Sequence, residues 1–520
     1  MALRFPAPRT LLALFCVLLW LPGFFTLPPG DRDESRFVQA THQMIETGDF
    51  IRIMNGTEAR NRKPIGIHWL QVPFVEAAAA VGLAHENPVW PYRIPSLLGG
   101  LLAVLVTFSL GEALFGRQAG LLAGAMLAGS ILLTTEVHIA KTDAALLGMT
   151  TLAMALLARA YLERLTTGGA ALFWLALGAG VLLKGPITPM VAGLTAAALC
   201  LADRRAGWLR TLRPGWGVPL LLAVALPWFI VIGLATDGQF FTDAVGGDLG
   251  RKLASGDNAH GGWPGLHLLL LPALLFPATA ALPGAALFAW HGRTQPAVRF
   301  LLAWIVPAWL VFELTPTKLP HYPLPLYPAL CLLGAAGMTI ALPRIARWLA
   351  IGLPTLVASA LALAVAGGPM LLGRPPFIPG LVAAALVGIL AALPRISLAL
   401  LASPLLYGAV LGWELPRLRL LWLAPQITAV LPPGTVLGSV GFAEPSLMFL
   451  AGTKTEWLLA AEGARALAGG RITALVVADR DLPAFEAAAG AIGLQPRSLA
   501  SVSGFNVSRG RFVTLTVLVR

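Results

Sequence analysis

Residues 1–25 read MALRFPAPRTLLALFCVLLWLPGFF: two arginines, Arg4 and Arg9, stand before a long apolar run. Basic residues ahead of an apolar core resemble a secretory leader. The run is longer than a leader needs, however, and no small-x-small cleavage signal follows it. It is therefore read as a first membrane helix that stays in the protein.

The rest of the chain continues in the same manner. Of 520 residues, 57% are hydrophobic and only 12% are charged, with a mean hydropathy of +0.77. A soluble domain carries about 25% charged residues, so lipid is the main solvent of this chain. A bilayer crossing takes about 20 mainly apolar residues. Apolar runs at 10–28, 93–114, 118–136, 143–162, 169–183, 187–202, 217–235, 264–290, 299–314, 322–341, 348–366, 377–393 and 396–413 predict an α-helical polytopic membrane protein of about thirteen spans. Lys184-Gly185-Pro186 separates two of these runs, because glycine and proline end helices.

A formal charge of +12 in a soluble chain would direct attention to nucleic acid. Here no basic–aromatic stripe of the kind nucleic-acid binders carry is found, and the excess is read as topogenic arginine. With the N-terminus inside, the short inside segments carry Arg4, Arg9, Arg117, Arg164, Arg204, Arg205, Arg210, Arg213, Arg293, Arg299, Arg344, Arg347 and Arg395. The short outside connections carry only Lys141, Lys184, Lys318 and Arg374. In this topology every lysine of the chain (Lys63, Lys141, Lys184, Lys252, Lys318, Lys454) lies outside, and lysine is a compact point charge suited to phosphate. The cysteines Cys16, Cys200 and Cys331 lie far apart in apolar runs and form neither a disulfide framework nor a zinc site.

Two regions depart from the membrane pattern. Residues 30–92 form an outside loop, in which 34–47 has helical spacing through Phe37, Ala40, Met44 and Ile45, and 67–83 is weakly amphipathic. Both are expected as helices lying on the membrane surface. Residues 417–520 hold shorter apolar patches, TVLGSVGF, ALVVA and FVTLTVLV, with a helix near 483–492. This reads as a small α/β domain following a membrane domain of residues 1–416. A glycine-rich outside loop, 236–263, is expected to be mobile.

Ionisable groups at membrane boundaries carry the functional information, since charge in lipid is costly. The outside face collects Asp31, Asp33 and Glu34 (PPGDRDESRF), Lys63 (NRKPIGIHWL), Lys141 and Asp143 (HIAKTDAALL), Lys184 (LLKGP), and Lys318, His321 and Tyr322 (TPTKLPHYPLPLYP). Cations beside a carboxylate suit transfer from an anionic lipid. The cations hold phosphate, and the carboxylate takes a proton from an acceptor hydroxyl. Structural readings stand beside these: Asp143 as a helix N-cap, Lys184 as a partner of helix-end carbonyls, Asp33 and Glu34 as solvated loop charges.

These segments, in this order over about residues 10–340, resemble the lipid A aminoarabinose transferases, their galacturonosyl relatives and the protein mannosyltransferases, which share the C-type membrane glycosyltransferase fold. The resemblance implies Asp33 as catalytic base or acceptor-orienting group, with Glu34 and Arg36 completing its motif and Asp143 as the second acid. It implies Lys63, Lys184 and Tyr322 at the donor phosphate; Arg251 is added on a looser match. Lys318 and His321 are further site candidates. Two departures matter: Arg62 stands where aminoarabinose enzymes carry glutamate before the lysine, and Phe37 replaces a tyrosine. No metal ligand set is expected, and the sequence does not decide a divalent-metal requirement.

The implied activity is inverting transfer of a sugar from undecaprenyl phosphate to lipid A, another envelope glycan or a protein. The implied place is the bacterial inner membrane, with the site and the C-terminal domain facing the periplasm. A monomer is expected, since nothing suggests a helix-pairing seam. The alternative is a flippase or transporter of lipid-linked sugars. Absence of an internal repeat and clustering of the charges at one face favour the enzyme.

Overall fold

The computed structural model describes residues 7–83, 87–162, 164–250, 261–393 and 395–520, except the side chains of 245 and 248–250. The chain divides into two compact units. One comprises residues 1–24, 61–67 and 93–413; the other comprises 25–60, 68–92 and 414–520.

The first unit is helical. Among the described residues, seven helices are long and apolar enough to cross a bilayer: Trp90–Phe115, Thr142–Tyr161, Thr167–Lys184, Pro214–Ala235, Pro296–Leu314, Arg344–Leu371 and Ile396–Arg417. Two expected spans are broken rather than straight. Arg117–Gly129 and Ile131–Val137 meet at 61°, and Leu266–Leu274 and Ala278–His291 at 119°. Ser130 makes the first break, taking an extended backbone so that its Oγ accepts from the Leu133 amide at 3.4 Å as a new N-cap. Pro277, which has no amide hydrogen to donate, stands in the second. Counting each bent pair as one crossing gives nine. Pro8–Trp20, Ile187–Asp203, Leu324–Gly337 and Ile378–Ala392 are shorter apolar helices at four other expected positions.

Small residues set the spacing of the helices that carry the chemistry. A β-carbon on Gly99 would lie 2.4 Å from the Cα of Ala145, and one on Gly148 would lie 2.7 Å from the Gly99 carbonyl oxygen. The Trp90–Phe115 and Thr142–Tyr161 helices therefore touch backbone to backbone, as small residues allow in membrane proteins. Gly66 meets the Leu182 carbonyl oxygen equally closely, at 2.6 Å from its would-be Cβ. That contact sets the 61–67 segment against the end of the Thr167–Lys184 helix. Around them a continuous core includes the fully buried Trp20, Phe300, Trp304 and Tyr327.

The second unit is built on a five-stranded mixed sheet in which Glu456–Trp457, Leu437–Val440, Ala474–Ala478, Arg511–Val519 and Arg497–Asn506 lie side by side in that order. Its strands are β3 (Leu437–Val440), β4 (Glu456–Trp457), β5 (Ala474–Ala478), β6 (Arg497–Asn506) and β7 (Arg511–Val519). A two-stranded hairpin, β1 (Met54–Asn55) and β2 (Glu58–Ala59), precedes them. Strand β5 pairs parallel to β3 and antiparallel to β7. Its side chains alternate by the two-residue period of a strand. Ala474, Val476 and Ala478 enter one apolar layer, and Leu475 and Val477 enter the other.

Most of the first loop, residues 25–60 and 68–92, belongs to this unit, while 61–67 belong to the first. Helix Asp33–Thr47 packs on helix Pro445–Ala451, with Gln39 Nε2 donating to Thr453 Oγ1 at 2.9 Å. Of the apolar stripe expected to lie on lipid, Phe37, Ala40 and Met44 are buried at 4%, 0% and 2% exposure and Ile45 is half-buried. The periodicity marks a buried face but does not say whether protein or lipid buries it, and here protein does.

Candidate functional site

In the first unit, six polar side chains converge from three chain segments. Lys141 begins and Asp143 opens the Thr142–Tyr161 helix. The turn before it is held by Ser96, whose Oγ lies 2.8 Å from the Ile139 carbonyl and 3.1 Å from that of Lys141. Lys184 ends the Thr167–Lys184 helix, where Gly185 leaves at φ +65°. His321 and Tyr322 come from the turn before Leu324–Leu326, anchored by Trp304 Nε1 donating to the Pro325 carbonyl at 3.1 Å.

Asp143 is the centre of the cluster. Lys184 Nζ donates to its Oδ1, Lys141 Nζ lies 3.6 Å from its Oδ2, and His321 Nε2 lies 3.7 Å from Oδ1. Its carboxylate makes no side-chain cap; the N-cap residue is Lys141, whose side chain does not cap either. The helix-cap reading of Asp143 thus gives way to an ion-pair role. Lys184 likewise engages a carboxylate, with its ammonium 5.4 Å from the centre of the Tyr322 ring. Lys141 lies 3.4 Å from His321 Nδ1.

The sequence reading missed one member. Glu136, on the short Ile131–Val137 helix, is 4% exposed. Its Oε1 lies 3.1 Å from Lys141 Nζ and 3.7 Å from His321 Nδ1. Its Oε2 has no hydrogen-bond partner among the described residues. The available signal was an acid inside the apolar stretch ILLTTEVHIA, five residues before Lys141. Two ammonium groups thus face two carboxylates, with an imidazole and a phenol beside them. An ammonium only donates, and can hold anionic oxygens such as those of a phosphate.

Lys318 is placed differently. Its Nζ donates to the carbonyls of Glu313 at 2.6 Å, Thr315 at 2.8 Å and Phe312 at 3.4 Å. It therefore satisfies the open end of the Pro296–Leu314 helix. Glu313 in turn accepts from the amides of Gly265 at 2.9 Å and Leu268 at 3.2 Å. Lys63 is half-buried and Arg62 exposed in the segment locked by Gly66. The neighbouring Asn61 donates to Asp243 at 3.1 Å, tying that segment to the described part of the 236–263 loop. Arg251 lies outside the described residues.

Asp33, Glu34 and Arg36 lie in the second unit, at the start of the Asp33–Thr47 helix. Their environments differ. Glu34 is buried and its Oε2 accepts from the Gly30 amide at 2.8 Å, so it stabilises the turn entering the helix. Asp33 is exposed and Arg36 half-buried. Among the described residues, no three His, Cys, Asp or Glu side chains gather to hold a metal ion.

Residues 63–231, which include Lys63, Asp143 and Lys184, match the family described as dolichyl-phosphate-mannose-protein mannosyltransferase. The chain is 30% identical over 328 residues to undecaprenyl phosphate-alpha-4-amino-4-deoxy-L-arabinose arabinosyl transferase of Pseudomonas paraeruginosa, covering 61% of this chain and 55% of that one. A relative of the same description from Pectobacterium carotovorum is 29% identical, covering 68% and 64%. The matches thus span less than two thirds of these relatives' length. In fold, the chain superposes on ArnT from Cupriavidus metallidurans, crystallised with undecaprenyl phosphate, at a TM-score of 0.75 and 21% identity, covering 98% of this chain and 97% of that one. The oligosaccharyltransferase AglB of Archaeoglobus fulgidus follows at a TM-score of 0.51 and 12% identity, covering 90% and 69%. The matching segment, the curated relatives and the fold thus agree: residues 63–231 match the protein-mannosyltransferase family, and the chain is similar in sequence to undecaprenyl phosphate-aminoarabinose arabinosyl transferases and shares the fold of ArnT.

Proposed function

We propose that this chain transfers a sugar from undecaprenyl phosphate to an acceptor at the periplasmic face of the bacterial inner membrane, with inversion at the anomeric carbon. The acceptor is lipid A, another envelope glycan or a protein. The observation that carries the reading is the Lys141–Asp143–Lys184 cluster at the ends of apolar helices, which lies within the residues that match the protein-mannosyltransferase family.

In this reading the acceptor hydroxyl oxygen bonds to the anomeric carbon, and its proton passes to the Asp33 carboxylate. The bond from that carbon to the phosphate oxygen breaks, and its electron pair leaves with the lipid phosphate. Lys63, Lys184 and Tyr322, with Arg251, offset the charge that gathers there. Asp143 holds Lys184 in place. The protein acts as a monomer, and its substrate enters from the membrane.

The test is transfer of radiolabelled sugar from a panel of undecaprenyl-phosphate sugars to envelope fractions. Wild-type protein and Asp33→Asn are compared with and without chelator. Donor consumption that depends on Asp33 is expected, and the chelator arm reads out whether a divalent ion takes part. If no donor is consumed and labelled lipid instead crosses proteoliposomes without need of Asp33, the chain is a transporter.

A further inference from the structure

The turn that launches the Asp33–Thr47 helix is held in an unfavourable conformation. Arg32, its N-cap residue, has φ +64° and ψ −102°, where an L side chain is crowded against its own backbone. Such a residue persists only where its surroundings over-determine it, and such sites cluster where geometry serves function.

Here the surroundings are the C-terminal sheet and its helices. The Ser446 hydroxyl donates to Asp31 Oδ1. The Arg32 guanidinium donates to the Ser508 carbonyl, at the tip of the β6–β7 hairpin. That tip is itself shaped by Asn506, whose Oδ1 accepts from the Arg509 amide at 3.0 Å and whose carbonyl accepts from the Gly510 amide at 2.8 Å. Asn506 Nδ2 also donates to Glu444 Oε1 at 3.1 Å. Ser446, Glu444 and Asn506 are buried at 2%, 5% and 4% exposure, while Asp31, Arg32 and Ser508 are half-buried. Beyond the turn, Asp33 stands exposed.

We infer that the C-terminal domain is a positioning device for the proposed base: Ser446 and the β6–β7 tip clamp Asp31 and Arg32 in the strained turn from which Asp33 is presented to the acceptor. The inference rests on the reading of Asp33 given above and assigns a task to residues 437–520. Ser446 and Arg32 are positioning residues, since they act through the backbone that precedes Asp33. Mere docking of the domain would need no strained residue and no contacts that hold both it and the residue before it.

The experiment uses the full-length chain in membranes. Ser446→Ala is expected to lower kcat by roughly tenfold to a hundredfold, with the KM for the lipid-linked donor within about twofold. Ser446→Thr, which keeps the hydroxyl, is expected to restore kcat. In an Asp33→Asn background, Ser446→Ala is expected to remove no further activity, because two residues acting as one unit do not give multiplicative losses. Arg32→Met, read against Arg32→Lys, repeats the comparison if Ser446→Ala fails to fold. Wild-type kcat in both Ser446→Ala and Arg32→Met, or losses that multiply in the double variant, would overturn the inference while leaving the glycosyl-transfer reading standing. Full activity in Asp33→Asn takes down the parent assignment and the inference together.

Discussion

Lys184, in the last turn of the Thr167–Lys184 helix, donates to Oδ1 of Asp143, in the first turn of the Thr142–Tyr161 helix. The side chains are 14% and 7% exposed. Removing one partner leaves a poorly solvated charge, at a cost of about 3 kcal/mol. Lys184→Met and Asp143→Asn are each expected to lower thermal stability in detergent by that order, and the double variant by clearly less than the sum. Transfer should fall at least about a hundredfold in all three. Strict additivity of the stability losses would show the pair to be uncoupled.

Glu136 offsets one of the two lysine charges from a buried position. Glu136→Gln leaves the cluster one positive charge richer. Free undecaprenyl phosphate, the proposed leaving group, is expected to bind roughly tenfold tighter, about 1.4 kcal/mol, while kcat falls as release slows. Product-inhibition kinetics measure both. Unchanged or weaker product affinity would place Glu136 outside the charge balance of the site.

Lys318 spends its three donors on the carbonyls of Phe312, Glu313 and Thr315. Lys318→Ala is expected to destabilise the protein by about 1–3 kcal/mol through unsatisfied helix-end carbonyls, with the donor KM of the folded fraction within about twofold of wild type. A tenfold rise in KM would instead place Lys318 among the groups that bind the donor.

Burial pushes the Asp31 carboxyl up to about 6 from 3.8; the Ser446 hydroxyl opposes this, the nearby Glu444 adds to it, and Arg32 opposes it. A carboxyl raised in the folded state contributes stability that is fully present below the unfolded value and is lost as pH rises through the folded one. Wild-type stability relative to Asp31→Asn should therefore decline between pH 3.8 and about 6, by at most about 3 kcal/mol. Unfolding midpoints of the two proteins across that range check this. Parallel profiles would reject it.

Lys141, Asp143 and Lys184 were legible because a charge beside a long apolar run stands out in a sequence and has few inexpensive structural uses in lipid. Glu136 was not, because a lone acid in an apolar run gives no hint of its partner until the fold supplies Lys141 and His321. Lys318 and Lys184 look alike in sequence, each lysine closing an apolar run. Only the path of the backbone shows that Lys318 hydrogen-bonds three carbonyls, with the Glu313 carboxylate 3.8 Å away, whereas Lys184 hydrogen-bonds a carboxylate. Glu34 sits beside Asp33, yet helix geometry turns it back to the Gly30 amide.

By itself, the sequence determined that the chain lives in a membrane, roughly where its helices run, and which ionisable residues stand at their ends. These follow from local hydropathy and from glycine and proline, properties that act within a few residues. The tertiary structure decided the rest. It bent two spans, buried the stripe of the Asp33–Thr47 helix in protein rather than lipid, and grouped residues 25–60 and 68–92 with 414–520. Each outcome depends on close approach between segments far apart in the chain, as at Gly99 against Ala145 or Gly66 against Leu182. Such contacts are set by the packing of the whole molecule, which no local pattern encodes.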